Sequence, residues 1–206
     1  MKYILFITLF ALILLGTWQV CRWYYKQDIM LNLQKTAINI PDTITKNLNY
    51  TKVNIKFFIK SQDVLYVYSG KNGYYVLIPV EMPNNTVVLL NIGTILNKGA
   101  ITINDGENIE GIILFNFKKP LFISNYDQNS DTWLGIDTAA MGKKLNLKLE
   151  PYIIWAEHSN IENVKDNGPI SIYNRHLEYI VTWYGLALIL IAYLVYTKIK
   201  VKSFQQ

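Results

Sequence analysis

The chain has 206 residues, 51% of them hydrophobic, with 20 Lys and Arg against 15 Asp and Glu. A single cysteine, Cys21, excludes an internal disulfide framework and a paired-thiol copper chaperone. The net charge of +5 comes from bases that flank two apolar segments, so it makes no case for a nucleic-acid partner.

The first apolar segment runs from Tyr3 to Cys21, nineteen residues without a charge, between Lys2 and Arg22. At the helical rise it spans about 28 Å, close to the thickness of a hydrocarbon core. Tyr3, Trp18, Trp23 and Tyr24 mark its ends, where amphipathic rings settle at headgroup level. Trp18, Gln19 and Val20 before Cys21 are too bulky for a signal-peptide cleavage site, so a retained anchor is expected. Arg22, Lys26, Ile29 and Leu33 continue the helical spacing over residues 22–36, until Asn39, Pro41 and Asp42 break it.

The middle of the chain reads as short strands. Lys52–Phe57 alternates polar and apolar side chains, the period of a half-buried strand. Val64–Tyr68 and Tyr74–Glu81 follow, parted by the turn-rich Ser69–Gly73. Thr86–Asn91 comes next, then Ile101–Asn104 and Ile109–Phe117 around an Asp105-Gly106 turn. Asp137–Lys144 suits a short helix capped by Asp137, and Pro151–Ala156 is a last strand. This pattern predicts an α+β membrane protein: two terminal transmembrane helices flanking an antiparallel, mostly β, barrel- or sandwich-like extramembrane domain.

The second apolar segment runs from Tyr179 to Thr197, again nineteen uncharged residues, between Glu178 and Lys198. The expected layout is a short tail at 1–2, spans at 3–21 and 179–197, an outer domain at 22–178, and a basic tail at 198–206. Lys2, Lys198, Lys200 and Lys202 lie outside the spans while all fifteen acids lie between them, which places both termini in the cytoplasm or matrix.

The middle domain is poor in catalytic parts. It has no His-x-x-x-His pair, phosphate loop or Gly-x-Ser-x-Gly turn, and no enzyme is expected. Asp127, Asp131 and Asp137 lack the spacing of a calcium loop and read as loop and cap residues. His158 and His176 are the only histidines. His176 stands just before the second span, on a helical face with Tyr179, Ile180, Trp183 and Ala187. An imidazole there could ligate haem iron, or simply hydrogen-bond lipid headgroups beside ordinary belt aromatics.

Four blocks of residues resemble the Surfeit locus protein 1 family of cytochrome c oxidase assembly factors. The first is Leu15–Arg22 with Lys26, similar to the family's Gly-x-Trp-Gln-x-x-Arg-x-x-x-Lys. The second is Gly73–Pro79 followed by Val88–Gly93, and the third is Asn125-Tyr126-Asp127 with Trp133 and Asp137–Met141. The fourth and most specific is Asn174–Ala187, where His176, Tyr179, Thr182 and Trp183 fall at the family's spacing. The chain looks like a divergent member. Ile92-Gly93-Thr94 stands where the family usually has Arg-Gly-Trp, and Ile112-Ile113-Leu114 where an Arg is common.

The resemblance implies an assembly factor that holds or delivers haem a to the catalytic subunit of the oxidase. It implies His176 as the iron ligand, with Tyr179 and Trp183 lining the cofactor. Trp18, Gln19, Arg22, Lys26 and Thr182 are the matching motif residues at the helix ends, and Gln19, Arg22 and Lys26 share a helix face. If the two helices pack together, these ends form a single site. The implied partners are the membrane, the oxidase catalytic subunit and haem a synthase. A cofactor-free scaffold that stabilises oxidase subunits is the alternative. The absence of an Arg/Ser-rich presequence points to a bacterial inner membrane rather than a mitochondrial one.

Overall fold

The computed structural model describes residues 2–203 apart from 42, 100, 103–107, 116–125 and 160. The anticipated Asp105-Gly106 turn, Asn104, Phe117 and Asn125 lie outside the described residues. In chain order the elements are α1 (Lys2–Gln34), β1 (Ile38–Asn39), β2 (Lys52–Lys56), β3 (Phe58–Ile59), β4 (Leu65–Tyr68), β5 (Tyr74–Glu81), β6 (Val87–Ile95) and β7 (Asn108–Leu114). They continue with β8 (Tyr126–Asp127), β9 (Thr132–Trp133), α2 (Thr138–Leu145), β10 (Leu149–Ala156) and α3 (His176–Ser203). Two compact units result: Met1–Leu31 with Ser171–Gln206, and Asn32–Ile170.

The strands form one mixed sheet, not the antiparallel one expected. The reason lies in how part of it closes on itself. β2 pairs antiparallel with β7, while β3, one residue further on, pairs antiparallel with β5. The hinge is Phe57, which is buried. β5 pairs with β6, β6 with β10, and β10 with β7, so the 52–59 segment completes a ring of five strands. A closed ring with an odd number of strands cannot alternate in direction all the way round, so at least one neighbouring pair must be parallel. That pair is β6 and β10, in register at Ile153 with Leu89 and Ile154 with Leu90. Parallel neighbours need a long crossover, and β7, β8, β9 and α2 all lie between them in sequence.

Alternation along the ring strands sorts the core. Val53, Ile55, Val76, Ile78, Val88, Leu90 and Ile154 fall in one cluster, with Phe57 and Tyr152. Their neighbours Leu77, Leu89 and Ile153 point the other way and meet Leu65, Val67, Trp133 and Met141. Both faces of β5, β6 and β10 are therefore covered, which is why these stretches read as continuous apolar runs. Burying each such aliphatic side chain contributes about 1.5–3 kcal/mol.

α2 covers the outer face of β10 through Met141, which is fully buried. Its start is set by Asp137, whose carboxylate accepts from Ala140 N–H at 3.2 Å. Asn146 ends it in the left-handed region, with φ of 53°. Asp127 holds its own turn, accepting from Asn129 N–H at 3.0 Å and from the Ser130 hydroxyl at 2.6 Å. Asp131 pairs with Lys144 of α2 and accepts from the Tyr126 hydroxyl at 2.5 Å.

After β10, residues 157–159 and 161–168 form a strap. Thr94 and Lys165 exchange backbone hydrogen bonds of 2.7 and 2.8 Å. Asn167 Nδ2 donates to Ala156 O at 2.8 Å and to Asn91 Oδ1 at 3.2 Å. Gly93 must be glycine here: its φ is +146°, and a Cβ would sit 2.4 Å from Lys165 O.

The Asp137 cap sets the expectation for stability. Asp137→Ala should cost about 1 kcal/mol, and Asp137→Asn much less, in urea unfolding of the β unit followed by circular dichroism.

Candidate functional site

α1 and α3 are long and apolar enough to cross a membrane. Neither contains proline, and straight-chain and aliphatic residues dominate both, so nothing interrupts the helical ladder. On α3 the less exposed positions include His176, Ile180, Trp183, Tyr184, Ala187, Leu190, Leu194 and Thr197. On α1 they include Leu5, Leu9, Leu12, Gly16, Gln19, Val20 and Trp23. Steps of three and four along each helix give the narrow stripe of an antiparallel helix pair.

The stripes meet at a small residue. Gly16 lies against the Tyr184 ring, so closely that a Cβ there would stand 2.9 Å from Tyr184 Cε1. One residue on, the Thr17 hydroxyl and the Tyr184 hydroxyl are 3.1 Å apart. Small residues allow this approach without a hydrophobic driving force, which is how helices pair in an apolar medium.

Above that contact, His176 Nδ1 lies 2.6 Å from Gln19 Oε1. Gln19 is only 8% exposed and His176 is half-buried. A carboxamide oxygen only accepts, so Nδ1 is the donor in this contact, and a neutral ring bonded this way has its lone pair on Nε2. Asn174 Oδ1 accepts from His176 N–H at 3.4 Å, tying down the start of α3. Asn174 Nδ2 and Trp183 Nε1 are buried donors without an acceptor among the described residues.

Not every residue singled out from sequence joins this contact. Trp183 sits in the stripe, but Tyr179 is 49% exposed and Trp18 is 53% exposed. Arg22 is exposed, its guanidinium 5.4 Å from the Tyr25 ring centre, and Lys26 is half-buried. Thr182 donates back to Glu178 O at 2.9 Å within its own helix. Gly16, Asn174 and Tyr184 stood inside the motif blocks with no role. The signal for Gly16 was a lone glycine inside an apolar helix.

His158 has a setting that its sequence did not announce. Its Nδ1 lies 3.0 Å from Asp166 Oδ2. Ser159 N–H and hydroxyl both donate to Asp166 Oδ1, at 2.9 and 3.3 Å. Serine, histidine and aspartate thus meet in the strap, but serine and imidazole both bond the carboxylate. A nucleophilic triad needs the imidazole between them. The Ser159 amide, then the His158 ring, hold the Asp166 carboxyl below its ordinary range.

The sequence model of the SURF1 family matches residues 6–188, which takes in both Gln19 and His176. The chain belongs to the SURF1 family. A SURF1-like protein of Rickettsia felis is 33% identical over 218 aligned positions, covering 95% of this chain and 96% of its own. A second, from Rickettsia conorii, is 32% identical and covers 96% and 91%. Human Surfeit locus protein 1 is 26% identical over 215 positions, covering 84% of this SURF1-family chain and 69% of its own.

Two outcomes follow from these contacts. Gly16→Val should force the helices apart and cost about 1–3 kcal/mol, with Gly16→Ala costing less because the Tyr184 ring can swing; thermal unfolding in detergent measures both. Asp166 is more acidic when folded, so its contribution is present above the ordinary aspartate value of about 4 and is lost as pH falls through the folded value. Asp166→Asn should therefore be less stable than wild type at pH 7, with the gap closing in acid; unfolding midpoints against pH read it.

Proposed function

We propose that this SURF1-family protein is an integral membrane assembly factor for a haem–copper terminal oxidase, and that it holds haem a as cargo at the paired helix ends. The observation that carries this reading is the Gln19–His176 contact, which occupies Nδ1 of a half-buried imidazole and leaves Nε2 of the neutral ring as the nitrogen able to ligate. The residues fit the group. A porphyrin brings four equatorial nitrogens of its own, so one protein imidazole is enough to hold it. The described residues contain no cluster of three or more His, Cys, Asp or Glu side chains suited to a bare ion. Trp183 lies about two turns along α3 from His176, on the same stripe, and contributes an aromatic wall and a spare buried N–H. Tyr179, on the flank of that stripe, would touch the outer edge of a bound ring.

In this reading the haem iron supplies the redox chemistry only after transfer, to the oxidase catalytic subunit. The chain itself binds, orients and shields, and performs no bond-making step. Both tails would lie on the cytoplasmic side, as Lys198, Lys200 and Lys202 favour, with the β unit outside. The bacterial relatives support placing it in a bacterial inner membrane. The oxidase catalytic subunit and haem a synthase are its expected partners.

A scaffold reading without cofactor has one observation in its favour. Ile92 and Ile112 occupy positions near which the family carries arginine, and both are fully buried in the β unit.

The test is a spectrum. Protein purified from cells that make haem a should carry the haem absorption bands, and His176→Ala should lose them. Haem-free wild type under those conditions overturns the cargo reading. Full oxidase assembly supported by His176→Ala favours the scaffold.

A further inference from the structure

We propose that Gln19 is a positioning residue for His176: its amide oxygen fixes the imidazole as the Nδ1–H tautomer and so presents Nε2 to the iron of the cargo haem. This rests on the cargo reading and adds to it a residue from the other helix, 157 positions away in the chain.

A neutral imidazole carries one N–H, and only the bare nitrogen can bind a metal. Left to itself the ring exchanges between two forms. Gln19 Oε1, 2.6 Å from Nδ1, has no proton to give, so the ring must donate to it. In the neutral ring Nε2 is then the bare nitrogen. The contact is also protected. Gln19 is 8% exposed, so little water competes for its oxygen, and a hydrogen bond in such surroundings is stronger than one in bulk water.

The helix pair holds the two partners still. Gly16, one turn below Gln19, lets the Tyr184 ring approach, and the Thr17–Tyr184 hydroxyl contact of 3.1 Å fixes that approach. Asn174 Oδ1 accepts from the His176 amide. The ring is therefore oriented before any ligand arrives, and less freedom is lost on binding. An acceptor on the far nitrogen also makes the ligating nitrogen a better electron donor, which favours ferric over ferrous iron. The opposite arrangement, with the amide NH2 turned toward Nδ1, would put the proton on Nε2 and block ligation. The two arrangements differ in an observable of the haem-free protein.

The experiment uses the full chain in detergent. Ring 15N correlation spectra of haem-free wild type should show His176 protonated at Nδ1 and bare at Nε2. Gln19→Leu, similar in size but without an acceptor, should lose that preference. Haem titration should show affinity about 10–100-fold weaker in Gln19→Leu, with the reduction potential of the bound haem moved upward. Gln19→Glu keeps an acceptor and should restore the tautomer and the affinity, with the potential below wild type. A merely structural role for Gln19 would move neither the tautomer nor the potential. A wild-type spectrum with the proton on Nε2 overturns the inference. So does a Gln19→Leu protein that binds haem through His176 with unchanged affinity and potential, and in that case the cargo reading stands. Wild type that binds no haem while carrying the Nδ1 proton sinks the cargo reading, and the positioning role with it.

Discussion

The 2.6 Å contact between Gln19 and His176 depends on how closely two helices can approach. Gly16 sets that distance. Where any other residue would place a Cβ against the Tyr184 ring, glycine leaves room, and the polar pair above it comes within hydrogen-bond reach. Gln19 is buried, so an amide that missed the imidazole would be left without a partner. The small residue and the polar pair therefore work as one device. One supplies the close approach, and the other makes that approach specific in rotation and register.

The β unit answers a different constraint. Five strands closed in a ring cannot all be antiparallel, and the sequence between β6 and β10 is spent on meeting that condition. The 52–59 segment changes partners at Phe57, from β7 to β5, which closes the ring without a separate strand. The strap is held by Gly93, Asn91 and Thr94 as the chain leaves β10. Its Ser159, His158 and Asp166 look like catalytic parts by residue type. Their order of hydrogen bonds makes them a clasp on one carboxylate.

Much of this was legible in the chain. Nineteen-residue uncharged runs marked both terminal helices, and the alternation of Lys52–Phe57 and the apolar run Tyr74–Glu81 after the turn-rich Ser69–Gly73 marked strands the structure contains. Asp137 announced its cap. The parallel pairing of β6 with β10 was not legible, because residues 149–156 and 87–95 read the same whichever way they run. The short strands β1, β3, β8 and β9 were hidden as well: two residues carry no period. At the candidate site, the motif blocks supplied Gln19 and His176 separately. Their pairing is a tertiary fact between residues on different helices. Tyr179 and Arg22 fall beside them by helical counting, but both side chains are exposed.

One vibration reports the proposed ligand His176, its tautomer and its partner Gln19 on the other helix. The iron–imidazole stretch in the resonance Raman spectrum of the ferrous, haem-loaded protein depends on which nitrogen binds and on what the other nitrogen donates to. The account predicts a stretch that is absent in His176→Ala and shifted to lower frequency in Gln19→Leu. A stretch that survives in His176→Ala, or that does not move in Gln19→Leu, would contradict it.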